Sequence, residues 1–574
     1  MKKEIFILLF ITILIFSTCQ SGSVQIDVPA VVGGENGGSL AIKINIDSGN
    51  GNIYTSIFPK TGISTQSSEE NAVISAFNYY NKNLDECNIY FDVVNTLNSK
   101  FVDGPSAGAA MAVAVSSVLN DKELRNDVII SGSIDKEGNI GTVGGISEKS
   151  LAAVESGKKY FLTPLNSVRY KLIASALEDL RDIKIIDVRT LEEANNIFFQ
   201  TKGTKVESKI NLIEKTEIPV NLTTTIKNKN LEMFVNIGYK MADEFENEIN
   251  EYINYVGVDS SRYEFLEYFK EEIDIQKGIL NKGYGFTSAN NIFLQKIDFE
   301  FLKKIGEINL ETEKEEAQNC LDSFELNEKT IDNWEWLSGS EMRLNWAQDK
   351  LDQLPSLSVK RTEGEEYPYL YEILYAKSWC EIANDLNVEG KENKINESNL
   401  EIYARNTLLL EQEYISTQPE INSEAVRHLR TAQIAFNKKQ YISTIYEVAF
   451  AHALQESTSD IFYNINFEKT IDDMYEDNNK SSLWGQVYLT QAKYIYESGD
   501  KEDAYTIFKL SNEFEKATNE ITISLLNDTI ITESDHENEE IKKVECNKII
   551  LFFSVIIILE SIILIILFFL KYNQ

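Results

Sequence analysis

The chain has 574 residues, more than one domain at roughly 150 residues each, and its 43% hydrophobic and 11% aromatic content rules out a disordered acidic tail as a description of the whole. Lys and Arg number 55 against 90 Asp and Glu, a formal charge of -35, which would repel a phosphate backbone and argues against a nucleic-acid partner. Histidine occurs only at His428, His452 and His536, so residues 1–427 cannot hold a Ser-His-Asp triad, a Cys-His dyad or a His-ligated metal, and hydrolytic chemistry there needs another base.

At the N-terminus, two lysines precede an apolar run from Ile5 to Phe16, followed by small and polar residues. That order is the order of a secretory signal, and the run is short for a bilayer span. Two readings stay open: export with cleavage near residue 20, or a retained N-terminal anchor. From residue 24 to 200 short apolar stretches alternate with helical ones, and this part of the chain is glycine-rich: 16 of the 28 glycines lie in the first 200 residues. The pattern predicts strands over Leu40–Ile46, Ile53–Phe58, Ile89–Val94, Asp127–Ile130, Tyr160–Thr163 and Ile183–Val188. It predicts helices over Glu69–Tyr80, Pro105–Leu119, Ser147–Glu155 and Leu191–Phe199, an α/β (α+β) domain mixing hairpins and crossovers.

Two segments of this domain carry candidate chemistry. The first is Asp103-Gly104-Pro105-Ser106-Ala107-Gly108, followed by AAMAVAVSSVL. Pro105 suits a first helical position and Asp103 or Gly104 can cap, so Ser106 falls in a first helical turn, beside unpaired N–H groups and the positive end of the helix dipole. Those are the elements of an oxyanion site. By itself the hexapeptide more often marks a helix cap than a nucleophile. The second segment, GTVGGISEKSLAAVESG, places Lys149 43 residues beyond Ser106. Gly144 and Gly145 make a turn, Ser147 can cap, and Lys149 lies in the first turn of a new helix, where burial would lower its pKa and make it a candidate base. A solvated lysine is the bland alternative for this fragment taken alone.

Together the two segments resemble the proteolytic domain of Lon proteases, in the D-G-P-S-A-G motif, the G-G-I-x-E-K-x-L-A-A motif and the spacing between them. The resemblance covers about residues 24–200. It implies Ser106 as nucleophile and Lys149 as general base, with Ser131 on the Thr or Ser position that helps hold the lysine. Ser133 stands where many members carry an acidic residue. Asp103 either orients the active-site loop or caps the helix, and Gly104 belongs to the same loop. Typical Lon enzymes join this domain to an ATPase, yet no G-x-x-x-x-G-K-[ST] loop occurs in the 574 residues. The glycines at Gly138, Gly141, Gly144 and Gly145 read as hairpin turns.

Beyond residue 200 glycine thins to 12 in 374 residues, and Glu-, Lys-, Asn- and Ile-rich segments take helical spacing. Thr431–Ala453 and Gln491–Ser511 resemble tetratricopeptide hairpins, the second turning at Gly499-Asp500 with Ala504 opening the packing face of the next helix. An irregular helical bundle is the equal alternative. The acidity is concentrated here: residues 201–574 hold 38 basic and 67 acidic residues, against 15 and 22 in residues 24–200. Ile549–Leu570 is an apolar run of 22 residues between Lys548 and Lys571, read as a transmembrane helix with Glu560 near its centre. The five cysteines, Cys19, Cys87, Cys320, Cys380 and Cys546, are too widely spaced to suggest a disulfide framework.

The expected layout is a signal peptide or anchor (1–23), a Lon-like serine protease domain (24–203), an acidic, mostly α-helical region with repeat-like hairpins (204–547) and a C-terminal transmembrane helix (548–571). The expected function is an ATP-independent serine endopeptidase with a Ser-Lys dyad, single-pass in the cell membrane with an extracytoplasmic catalytic domain, cleaving peptides or unfolded proteins. It needs no cofactor, metal, nucleic acid or ATP, and the rings that Lon-like domains commonly form leave a homo-oligomer open. The alternative is a membrane-tethered scaffold that binds proteins through its helical repeats and whose Lon-like domain is inactive or only self-processes.

Overall fold

Period-2 alternation builds the first sheet: Ile26 and Val28 on one strand, Leu40, Ile42, Ile44 and Ile46 on the next and Ile89, Phe91 and Val93 on a third all point into one core. The computed structural model describes residues 19–32, 36–95, 101–206, 218–219, 222, 229–257, 262–357, 364–462 and 480–534. Strands β1 (Gly22–Val32), β2 (Asn36–Ser48), β3 (Ile53–Thr55) and β5 (Cys87–Asn95) form a sheet of order β1-β2-β5-β3, antiparallel except for the parallel β3–β5 pair. The short strands β4 (Lys60–Thr61) and β6 (Phe101–Val102) pair in parallel beside it. Helices α1 (Ile63–Tyr79) and α2 (Gly108–Leu119) pack together, and every residue of α2 is buried, its many glycine, alanine and serine residues letting neighbouring elements approach closely.

A second sheet is parallel, in the order β11-β10-β7, from β7 (Val128–Ile130), β10 (Tyr160–Thr163) and β11 (Lys184–Asp187). Between β7 and β10 run the hairpin of β8 (Ser133–Ile134) and β9 (Ile140–Gly141) and helix α3 (Ile146–Glu155); α4 (Val168–Leu180) joins β10 to β11 and α5 (Leu191–Phe198) follows. The elements predicted for this domain are all present, Tyr160–Thr163 with the predicted ends and the others with shifted ends. Strands β1, β4, β6, β8 and β9 and helix α4 are not among the predicted elements. Pro29 lies within β1 and reads as a strand breaker, but β1 is a sheet edge, where a missing N–H costs no ladder bond. Gly138 (φ 89°) turns the β8–β9 hairpin as read, whereas Gly145 (φ 73°) opens α3.

The helical half runs through α6 (Lys229–Val256), α7 (Tyr263–Asn281), α8 (Gly285–Lys304), α9 (Leu310–Asp322), α10 (Trp334–Asp352), α11 (Tyr367–Leu386), α12 (Glu401–Ser416), α13 (Ser423–Asn437), α14 (Tyr441–Phe462), α15 (Leu483–Glu497) and α16 (Lys501–Ser534). The two hairpins read from sequence are α13–α14 and α15–α16, the second turning at Gly499 (φ 96°) with Ala504 fully buried. This half is not a separate body. Ile129, Phe161, Leu172 and Leu177 of the α/β domain share one apolar core with Phe245, Phe269, Phe299 and Tyr371, and the Arg169 guanidinium stacks 4.1 Å over the Tyr371 ring.

Two expectations are corrected. Cys19 pairs with Cys87 and Cys320 with Cys380 as disulfides, with Cα atoms 5.3 and 6.3 Å apart. Sequence separations of 68 and 60 hid them from a reading that looked for close spacing, and loops of this length are the ones whose closure stabilises most, by about 2–4 kcal/mol each. The second correction concerns the membrane. Among the described residues no helix is long and apolar enough to cross a bilayer. The run Ile549–Leu570 on which the transmembrane helix and the single-pass membrane location rested lies outside the described residues, as do residues 1–18 of the segment 1–23 read as signal or anchor, whose last residues, from Cys19, belong to the fold. The observed architecture is therefore an α/β domain followed by a helical region.

Candidate active site

The turn that carries Ser106 is assembled from residues far apart in sequence. Strand β6 delivers the chain to Asp103, whose Oδ1 accepts from the backbone N–H of Thr65 at 3.1 Å, from the Thr65 hydroxyl at 3.4 Å and from the Gly104 N–H at 2.9 Å. Thr65 is the third residue of α1, so Asp103 caps α1, not the helix behind Ser106 as its position suggested. The N-cap position of α1 itself is Gly62, where a Cβ would sit 2.0 Å from the Asp103 carboxyl carbon. The cap thus fixes α1 and the serine loop to each other. Asp103→Ala is expected to lose about 1 kcal/mol in urea or thermal unfolding, and Asp103→Asn, which keeps an acceptor oxygen, to lose less; an Ala variant as stable as wild type would show that the cap is idle.

After Gly104 (φ 133°) the chain enters a short 3-10 turn, Pro105–Ala107, that runs into α2. Pro105 takes the first helical position as read, and Ser106 is half-buried. The Ser106 carbonyl accepts from the Gly132 N–H at 3.0 Å and from the Ser131 hydroxyl at 3.2 Å, and Ala109 N–H returns to Gly132 O at 3.0 Å. Ser131 is fully buried and holds the serine turn; among the described residues no hydrogen bond joins it to Lys149, the role the resemblance implied. Ser133 lies on β8, its hydroxyl filling the space a Gly141 side chain would take.

Lys149 lies in the first turn of α3. Gly145 occupies the N-cap position with its positive φ, Lys149 N–H bonds to Gly145 O at 2.9 Å, and the lysine Cε passes 3.9 Å from where a Gly145 Cβ would be. Ser147, read as the cap, is instead inside the helix. Lys149 is only 4% exposed, and burial pulls its pKa down to about 8 against the opposing pull of Glu148. Among the described residues its ammonium has no hydrogen bond or ion pair, so roughly one lysine in ten is neutral at pH 7. Arg181 steadies this turn: its Nη1 donates to Ser147 O at 3.0 Å and to Ser150 Oγ at 2.6 Å.

The Pro105–Ala107 turn and α3 both pack on β1, so one strand supports the serine and the lysine. No hydrogen bond joins the two side chains in this structure; such contacts commonly tighten only when substrate is bound. Arg181 was missed from sequence because nothing near it in the chain marks it. Glu69, read only as the start of a helix, is another such residue: it is 4% exposed, accepts from the Thr55 hydroxyl at 3.1 Å, and burial pushes its pKa up to about 7. The side chains among the described residues placed to hold a metal ion, His452, Glu456 and Glu513, belong to the helical region, where Lys509 and Lys516 already pair with the two carboxylates.

Residues 60–200 match the family model of the Lon protease (S16) C-terminal proteolytic domain. Similar proteins include the Lon protease of Campylobacter concisus, 37% identical over 91 residues, and that of Ureaplasma parvum, 37% identical over 105 residues. Lon protease 2 of Syntrophobacter fumaroxidans is 41% identical over 92 residues. These alignments cover 16 or 17% of this chain and 11 or 12% of each relative.

Proposed function

We propose, from the Lon-family proteolytic domain that residues 60–200 form, that this chain is a serine endopeptidase in which Ser106 is the nucleophile and Lys149 the general base. The observation that carries the reading is the burial of Lys149. A lysine at 4% exposure with a pKa of about 8 is partly neutral at ordinary pH, which an active-site base must be and a solvated lysine is not.

In this mechanism neutral Lys149 Nζ takes the Ser106 hydroxyl proton as Oγ attacks the scissile carbonyl carbon. The carbonyl oxygen becomes an oxyanion facing the N–H groups of the Pro105–Ala107 turn, the first donors of the helical run into α2. Lys149 then returns the proton to the departing amine, leaving an ester on Ser106. Water, deprotonated by the same lysine, hydrolyses the ester and restores both side chains. The Gly132 and Ser131 bonds to the Ser106 carbonyl hold the turn through this cycle.

Cleavage proceeds without nucleotide in this reading, since the 574 residues contain no phosphate-binding loop of the G-x-x-x-x-G-K-[ST] kind. The substrates are then peptides or chains already unfolded. The deciding assay is cleavage of casein and of a short fluorogenic peptide with and without Mg-ATP. Equal rates are expected, and cleavage that depends on ATP overturns the ATP-free reading.

A further inference from the structure

Helices α6, α8, α10 and α11 enclose a cavity of about 80 Å³ that opens to solvent at one side. Its deep wall is apolar, from Phe234, Met241 and Phe293, with one charged group among them, Arg343. Arg343 is 6% exposed, with its guanidinium carbon 4.7 Å from the Trp346 ring centre and 4.8 Å from that of Trp484. Two indole faces clamp the plane of the cation. Its Nη1 donates to Gly339 O at 3.3 Å and it also bonds the Tyr488 hydroxyl.

A buried guanidinium normally carries a carboxylate with it, because an uncompensated charge in an apolar site is costly. Among the described residues none forms an ion pair with Arg343. Glu447, the carboxylate whose charge acts on Arg343, already accepts from Trp346 Nε1 at 2.6 Å, His428 Nδ1 at 2.7 Å and the Thr431 hydroxyl at 2.8 Å. The rim is different in character: half-buried Trp379 and Ile382 frame the mouth, with Asn290 and the Asp385–Lys240 ion pair at 2.8 Å beside them.

We propose that this cavity binds the C-terminal residue of a polypeptide, its free carboxylate on Arg343 and its apolar side chain against the aromatic walls. Three features select that ligand. The fork of guanidinium donors matches a carboxylate. The apolar walls around Arg343, from Phe234, Met241 and Phe293, suit an apolar side chain beside that carboxylate. A cavity closed at its deep end admits a chain end and excludes a through-running segment, while Asn290 and Asp385 at the mouth offer partners to the last peptide groups. The inference concerns binding and does not require the Ser106–Lys149 chemistry.

The test uses the full chain carrying Ser106→Ala, so that no probe is consumed, and follows tryptophan fluorescence and calorimetry with acetyl-Ala-Leu as the free acid, its C-terminal amide, and decanoate. The free acid is expected to bind at least tenfold tighter than the amide, with quenching of Trp346 or Trp379 emission. Arg343→Lys is expected to lose at least tenfold in affinity for the acid and little for the amide. Ile382→Trp, a rim change that leaves the buried network intact, is expected to block both, which keeps the test valid should the Arg343 variant fail to fold. Equal binding of acid and amide, unchanged binding in Ile382→Trp, or tighter binding of decanoate than of the peptide acid overturns the proposal. Any of these results leaves the peptidase reading untouched, since that stands on cleavage assays.

Discussion

Ser106→Ala is expected to abolish peptide cleavage, lowering the rate by roughly four orders of magnitude or more, while leaving the fold intact. The second half of that statement follows from how the turn is held. Ser106 contributes to the structure through its carbonyl, which accepts from Gly132 N–H and the Ser131 hydroxyl, and an alanine preserves both bonds. The half-buried side chain loses only one oxygen, so unfolding free energy should stay within about 0.5 kcal/mol of wild type. Measured together, thermal melting and hydrolysis of a fluorogenic peptide separate a lost nucleophile from a lost fold. A variant that melts like wild type and retains more than a tenth of its rate would remove Ser106 from the mechanism.

The contrast between Ser106 and Asp103 shows what could be read from sequence and what could not. The serine and lysine motifs are local, and their elements formed where the glycine, proline and apolar spacing put them. Asp103 sits in the same hexapeptide, but its partner, Thr65, lies 38 residues upstream. From sequence α1 starts at Glu69 instead of Ile63, because Ile63-Ser64-Thr65-Gln66-Ser67-Ser68 has loop-like composition; that segment is helical because an aspartate from another segment caps it. Tertiary context overrode local preference there, as it did at Pro29, tolerated only because β1 is an edge strand. Distant cysteine pairing fails to show for the same reason. The burial of Lys149 is a third case. Sequence placed it on the opening turn of a helix, but only the packing of α3 on β1 and β2 decides that its ammonium is enclosed.

That enclosure has consequences for rate and stability with opposite signs. If Lys149 must be neutral to act, the rate of cleavage under subsaturating substrate should rise about tenfold per pH unit below pH 8 and level off above it. About one enzyme in a hundred would then be competent at pH 6. The folded-state pKa, about 8, lies below the ordinary 10.5, so between those values the unfolded chain binds more protons and stability rises with pH; below about pH 8 both states are protonated and the full cost of a buried ammonium is present. A shift of this size corresponds to roughly 3 kcal/mol. Lys149→Met, similar in length and apolar, removes that cost. It is expected to be inactive across the whole pH range and more stable than wild type at pH 7 by an amount up to about 3 kcal/mol, with the advantage shrinking as pH climbs from 8 towards 10.5. An activity profile flat between pH 6 and 8, or a methionine variant that gains no stability at pH 7, would mean that the lysine is hydrated in the working enzyme and that another group takes the serine proton. A stabilised, inactive variant with the expected pH dependence would instead tie catalysis to a residue whose burial the fold maintains at its own expense.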